Sequence, residues 1–387
     1  MEPVTIVGAG GIGCAVGYAL RAAGVDVTFV EANRRKVELG RRTMVGIREV
    51  AWARRDMTRT PFMARYWGEF VHADEWRPRP GGWVLLCTKC YDNPAVLDRL
   101  TEPVRLVPIQ NGFDPRVAAD GHEFEGIASF VSEADPWAPE TRITRAGDLH
   151  LGRRVAGPTP DGELDQFAAA LGRCGLFRVK VVPRIEPFKY AKLMYNAAIS
   201  PLAAAAGIDN GKLLSVPAAR RLFFGLLQEN YRILTAAGVE LGQVGPFKPG
   251  TVAWILRRKW LAGLMARGFE PSLRGTYCSM AGEIQKGRTE IDNYNGHLIR
   301  LAEPAGVPCP LNRAVYELVT RMTAERAEPR LGVLDELADE GRRPAGRNAM
   351  LPDLPPPGAE APGGGGPAIP FIPRLAADPG WMPRART

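Results

Sequence analysis

The chain has 387 residues, 45% hydrophobic and 24% charged, enough for two or three domains with buried cores and unlike a disordered chain, a fibre or a small disulfide scaffold. Its formal net charge of +8 permits anionic partners, but the basic residues are scattered and aromatics are only 8%, which argues against a nucleic-acid surface. Six irregularly spaced cysteines form no disulfide framework, the N-terminus lacks the basic start of a signal peptide, and no apolar run reaches the ~18–20 residues of a membrane span, so a cytoplasmic setting away from membranes is expected.

Val4 to Val7 is a short β-branched run that ends in glycine and predicts a strand. From Ile12, apolar residues recur with helical period at Val16, Ala19, Leu20 and Ala23, and Gly24 is a good stop. Val25 to Val30 predicts a second strand, which completes a βαβ unit and implies a parallel sheet. Further strands are predicted at Trp83 to Cys87 and Val104 to Ile109, so residues 1–183 read as one doubly wound α/β (Rossmann) domain. Residues 184–330 lose strand alternation and gain helical periodicity, as in Arg221 to Leu234 and Ile291 to Leu301, and read as an all-helical domain. Residues 331–387 read as a disordered tail, because 18 of the 44 residues from Pro344 onward are Gly or Pro.

Gly8-Ala9-Gly10-Gly11-Ile12-Gly13 matches G-x-G-x-x-G, and its place between a strand and a helix supports dinucleotide binding. Gly8 permits the tight turn, Gly10 lets the backbone approach a pyrophosphate, and Gly13 lets helix and strand pack closely. Glu31 ends the second strand, where an acid accepts hydrogen bonds from the ribose diol and favours NAD. Arg34, Arg35 and Lys36 follow directly and suit a 2′-phosphate, so the arginines tip the expectation towards NADP(H) without excluding NAD(H).

Gln110-Asn111-Gly112 follows a predicted strand, which would put Asn111 at the cofactor's reactive end, although a plain Asn-Gly turn gives the same dipeptide. Lys192, Asn196 and Ser200 share one face of an otherwise apolar helix, a costly arrangement unless that face meets a wet cleft. Pro201 is expected to end or kink that helix. Ser279-Met280 and Thr289-Glu290-Ile291-Asp292 come later, and by themselves Thr289 and Glu290 would serve as a helix cap and first-turn acid. Cys87-Thr88-Lys89-Cys90 is a C-x-x-C without a second copy, read as coincidence, and no metal site is expected.

In order along the chain, GAGGIG from Gly8, Lys89, Asn111-Gly112, KLMYNAAISPL from Lys192, Asn210-Gly211, Ser279-Met280 and TEID from Thr289 resemble the ketopantoate reductase family (2-dehydropantoate 2-reductases) over roughly residues 3–325. The resemblance implies a Rossmann domain, a helical domain and an active site between them. It implies NADPH-dependent reduction of 2-dehydropantoate to (R)-pantoate, on the route to pantothenate and coenzyme A. It assigns Lys192 as general acid, Glu290 as the acid working with that lysine, and Asn111 as a residue beside nicotinamide and substrate. Lys89 falls with the cofactor, and Asn196, Ser200, Asn210 and Ser279 with the substrate. Ser200 stands where the family often has asparagine, the stretch from Ser279 to Glu290 is one residue shorter, and Glu31-Ala32 replaces an alanine–arginine pair.

The residue chemistry suits the role. Hydride delivery to a ketone builds negative charge on oxygen, and a protonated lysine there has a proton to give. Two alternatives stay open: a related reductase of another 2-keto acid or imine, motivated by Ser200 and the shortened loop, and a non-catalytic dinucleotide sensor that uses its tail. A homodimer is compatible with the sequence, which does not fix the assembly.

Overall fold

The computed structural model describes residues 2–50, 62–155 and 162–340. The glycine motif sits where β1 (Val4–Val7) meets α1 (Gly11–Ala22), followed by β2 (Val27–Glu31), α2 (Arg34–Gly40), β3 (Val45–Glu49), β4 (Met63–Tyr66) and β5 (Glu69–His72). The chain then runs through β6 (Trp83–Leu86), α3 (Asn93–Leu97), β7 (Arg105–Pro108), α4 (Pro115–Ala119), β8 (Phe124–Ala128) and β9 (Val131–Ala134). The strand-bearing part closes with β10 (Glu140–Arg145), β11 (Asp148–Arg153), α5 (Gly162–Gly172) and β12 (Arg178–Arg184).

Five parallel strands form the central sheet in the order β5-β2-β1-β6-β7. The chain moves outward from β1 to β5 and returns to the other side of β1 with β6, which creates the crevice where open α/β sheets bind ligands. The expectation of one doubly wound domain to residue 183 is only part of the arrangement. Two further sheets, β4-β3-β10-β9 and β12-β11-β8, contain antiparallel pairs that the sequence reading did not separate. Both faces of α1 are used: buried Val16, Ala19 and Leu20 share a core with Phe29 of β2 and Ile143 of β10.

From Glu186 onward the described residues contain only helices and turns: α6 (Glu186–Ala206), α7 (Lys212–Ser215), α8 (Pro217–Ala236), α9 (Pro249–Leu256), α10 (Lys259–Leu273), α11 (Asn295–Ala302), α12 (Pro310–Ala324) and α13 (Val333–Glu340). Alanine-rich α6 is the core helix of this part. Pro201 neither ends nor stops it; the helix continues to Ala206. Proline has no N–H for the Ala197 carbonyl, and Asn295 Nδ2 donates to that carbonyl at 2.9 Å instead. Asn230 Nδ2 caps the Met194 carbonyl at 2.9 Å, and Asn312 joins Asn230, Asn295 and Glu229 in one buried network. These bonds hold α6 in a fixed rotation, which decides which of its side chains face outward.

Two expectations need correction here. The run from Ile291 is not one helix: a short 3₁₀ turn, Ile291–Asn293, precedes α11, so Thr289 and Glu290 do not cap it. The tail does not begin at 331 either, because α13 packs on the helical core with Val333, Leu334 and Leu337 buried. The remainder of the expected tail, 341–387, lies outside the described residues.

Candidate active site

A cavity of about 1290 Å³ opens at the C-terminal ends of β1, β2, β6 and β7 and runs to α6. Gly8 has φ +100°, a conformation that only glycine adopts freely, and a Cβ there would press the Cys87 and Thr88 backbone at 3.0 Å. At Gly13 a Cβ would lie 2.1 Å from the Gly8 carbonyl oxygen, so the close helix–turn contact requires glycine. An added Cβ at Gly10 meets nothing within 4 Å, which leaves its backbone open to the cavity at the α1 N-terminus. Gly8, Gly10, Gly11 and Ile12 line the cavity, while Ala9 and Gly13 are buried behind it. Donor N–H groups at a helix start facing an open cleft suit a pyrophosphate.

Glu31 also lines the cavity, and its Oε1 accepts from the Asn33 N–H at 2.9 Å. The cations expected beside it are engaged elsewhere. Arg34 pairs with Asp74 at 3.0 Å, Arg35 lies over the Trp137 ring at 5.6 Å, and Lys36 donates to the Asp135 carbonyl at 3.0 Å. None of the three lines the cavity, because α2 turns their side chains towards the β5 side and the loop before β10.

At the β7 end, Gly112 has φ +76° and packs its backbone against the Tyr294 ring, where a Cβ would come within 2.8 Å. That turn presents Asn111 to the cavity with a buried Oδ1 that has no protein partner. Behind it, Gln110 donates to the Thr88 carbonyl at 2.8 Å and to Asn93 Oδ1 at 2.7 Å, and the Cys90 thiol donates to the Asn111 carbonyl at 3.3 Å. The dipeptide is thus a turn that also aims a side chain, and Cys90 belongs to the support of that turn.

Glu290 departs from expectation. It is not paired with Lys192. Lys89, from the loop after β6, donates to Glu290 Oε2 at 2.9 Å, pairs with Glu283 at 2.7 Å and donates to the Ser279 carbonyl at 2.5 Å. Burial alone would push the Lys89 ammonium down, but the two carboxylates outweigh it and hold the lysine well above its usual range. The Cys90 N–H and the Tyr294 hydroxyl complete the Glu290 shell at 3.2 and 3.3 Å. Ser279 Oγ lies 3.1 Å from the same hydroxyl. The cluster joins the β6 loop to the segment before α11.

Lys192, Asn196 and Ser200 line the cavity from one face of α6, as the i, i+4, i+8 spacing predicts. Lys192 has no carboxylate partner among the described residues. Burial, then the nearby Arg145 guanidinium, push its ammonium down to about 8. Asn210 lines the same cavity; its Nδ2 donates to Thr276 Oγ1 at 3.1 Å, and its Oδ1 is buried without a protein partner.

Sequence reasoning missed Arg145, Glu283 and Tyr294. Arg145 ends β10, lines the cavity and has no ion pair among the described residues. No motif marks it, because its position follows from how β10 crosses behind α1. Glu283 had one local signal, an acid seven residues before Glu290 in the stretch that looked one residue short.

Residues 4–122 match the family model "Ketopantoate reductase PanE/ApbA", and residues 184–323 match "Ketopantoate reductase PanE/ApbA C terminal". The 2-dehydropantoate 2-reductase of Pyrobaculum aerophilum is 28% identical over 238 residues, 62% of this chain and 76% of that protein. That of Pyrococcus horikoshii is 25% identical over 329 residues, 82% of this chain and 96% of that protein. Among solved structures, a ketopantoate reductase from Ralstonia eutropha JMP134 superposes with a TM-score of 0.64 at 21% identity, covering 84% of this chain and 99% of that one. A D-mandelate dehydrogenase solved with NADH and anilino(oxo)acetate gives 0.66 at 17% identity, with 84% and 99% covered. At these identities the superpositions establish the fold.

Proposed function

We propose, for a chain that belongs to the ketopantoate reductase family, that it reduces 2-dehydropantoate to (R)-pantoate with a nicotinamide dinucleotide, the reaction that serves pantothenate biosynthesis. The observation that carries this reading is Lys192, a half-buried ammonium with no carboxylate partner among the described residues, facing the cavity that begins at the glycine turn. The residues present fit the cofactor: an open backbone at Gly10, a carboxylate at Glu31 for the ribose, and an orphaned Asn111 Oδ1 for an N–H donor.

The bound dinucleotide supplies the hydride. Lys192 gives its proton to the keto oxygen as charge builds there. A pKa of about 8 leaves it protonated at pH 7 and makes it a stronger acid than an ordinary lysine. Arg145, which like Lys192 lines the cavity without an ion pair among the described residues, holds the substrate carboxylate. Asn196, Ser200, Asn210 and Ser279 offer hydrogen bonds to the substrate's hydroxyl and carboxylate without adding charge. Lys89, Glu283 and Glu290 hold Ser279 and the cofactor-side loop in place.

For the cofactor, the engagement of Arg34 with Asp74 and of Arg35 with Trp137 leaves Glu31 as the charged side chain that the end of β2 and the start of α2 present to the cavity. This favours NAD(H) over the NADP(H) suggested by the family resemblance, because a carboxylate repels a 2′-phosphate. The test is initial-rate kinetics of 2-dehydropantoate with NADH and NADPH, for wild type and Lys192→Ala. Lys192→Ala should lose about 10²–10⁴ in kcat while keeping its thermal midpoint. A variant within a few-fold of wild type sinks the assignment, and a wild type that prefers NADPH sinks the cofactor reading alone.

A further inference from the structure

The cavity does not end with the Lys192 stripe. Ser200 lies eight residues beyond Lys192, about 12 Å along α6 at 1.5 Å per residue. There the cavity extends into a lobe walled by Leu214 of α7, Phe223 and Leu227 of α8, Val252 of α9, and Ala266 and Phe269 of α10. All but Phe269 are less than a tenth exposed and belong to the helical core, while exposed Phe247, which also lines the cavity and sits edge-on to Phe269, marks where the lobe reaches the surface. Among the described lining residues from Glu186 onward, the only Lys, Arg, Asp or Glu side chains are Lys192 and Glu290, and Glu290 is already paired with Lys89. The lobe therefore has aromatic and aliphatic surface and no charge of its own. A short hydroxylated side chain is served by Asn196, Ser200 and Asn210 before the lobe is reached.

We propose that this lobe lets the same site take a second class of 2-keto acid beside 2-dehydropantoate, those with a bulky apolar side chain, aryl or long alkyl, which the lobe receives. The inference rests on the reading that the chain reduces 2-keto acids. With the carboxylate at Arg145 and the keto oxygen at Lys192, a side chain directed along α6 passes Asn196 and Ser200 and enters the apolar wall. Each further carbon it places there leaves water for a hydrophobic surface. One methylene in such a pocket discriminates by about 10-fold or more, so an aryl-bearing acid should gain about 10- to 100-fold in kcat/KM over a small one.

The experiment compares 2-oxo-4-phenylbutanoate, 2-dehydropantoate and pyruvate as substrates, with either reduced dinucleotide, for wild type and two variants that narrow the lobe, Ala266→Phe and Met265→Trp. Met265 also lines the cavity and is only partly buried, so its variant remains informative where Ala266→Phe folds poorly. Calorimetric binding of 4-phenylbutanoate to the dinucleotide-loaded protein gives a readout without chemistry. Wild type should prefer 2-oxo-4-phenylbutanoate to pyruvate by about 10-fold or more in kcat/KM. Narrowing should remove about 10-fold of that kcat/KM and weaken 4-phenylbutanoate binding, with pyruvate turnover unchanged. A wild type that reduces 2-dehydropantoate but turns over 2-oxo-4-phenylbutanoate no better than pyruvate, or variants that treat all three acids as wild type does, overturns the lobe assignment and leaves the reductase reading intact. Reduction of none of the three acids overturns the reductase reading itself, and the lobe assignment with it.

Discussion

Lys192 and Arg145 share one cavity without an ion pair among the described residues, which makes a quantitative demand on the pH dependence. Burial, then Arg145, lower the Lys192 ammonium from 10.5 to about 8. Reduction needs the protonated lysine, so the rate of keto-acid reduction should be level below about pH 7 and fall tenfold per unit above about 8. Oxidation of the hydroxy acid needs the neutral amine as base and should show the opposite limb at the same pH. Arg145→Gln removes the like charge but leaves the burial, so both limbs should move upward by about half a unit to one unit, short of the full return to 10.5. The same variant loses the carboxylate partner, and KM for the keto acid should rise about 10- to 100-fold, the range expected of one charge-assisted hydrogen-bonded pair. The assay is single-turnover hydride transfer from pH 6 to 10, followed by loss of reduced-dinucleotide absorbance, with dinucleotide affinity measured separately. A limb that stays at 8 in Arg145→Gln, or moves down, refutes the electrostatic coupling. An unchanged KM refutes the carboxylate role.

Other perturbations test the framework around the site. Lys89→Met leaves Glu283 and Glu290 buried without their cation and should cost about 3–5 kcal/mol of stability; Lys89→Met/Glu290→Gln should recover part of the lost thermal midpoint, which a merely steric role for Lys89 does not predict. Glu125 of β8 pairs with Lys189 of α6 and accepts from His122; burial would raise its carboxyl, but those partners outweigh it and hold it at about 2, below the ordinary 4.5. A lowered folded-state pKa means stability present above about pH 4.5 and lost as pH falls towards 2, so the gap in thermal midpoint between wild type and Glu125→Gln should be wide at pH 7 and close on acidification. Truncation after Arg330 removes Val333, Leu334 and Leu337, each worth about 1.5–3 kcal/mol when fully buried, and should lower the midpoint by many degrees, whereas a chain ending at Glu340 keeps those contacts.

What the sequence determined by itself is what short-range physics encodes. Gly8 and Gly13 had to be glycine because a positive φ and a 2.1 Å approach admit nothing else, and both constraints lie within one strand–turn–helix. The stripe of Lys192, Asn196 and Ser200 was legible because helical period alone puts those residues on one face. That the helix survives Pro201 was not legible, since the replacement donor, Asn295, comes from a helix 98 residues away in the chain. The partner of Glu290 was likewise a tertiary decision: Lys89 reaches it across 201 residues of sequence, and no local pattern distinguishes that lysine from Lys192. The same holds for Arg145, whose exposure to the cavity depends on the crossing of β10 behind α1, and for Arg34 and Arg35, whose partners Asp74 and Trp137 lie on other elements. Backbone strain and periodicity are properties of a few adjacent residues, whereas the pairing of charges depends on which loops the packed core brings together, and only the folded chain contains that information.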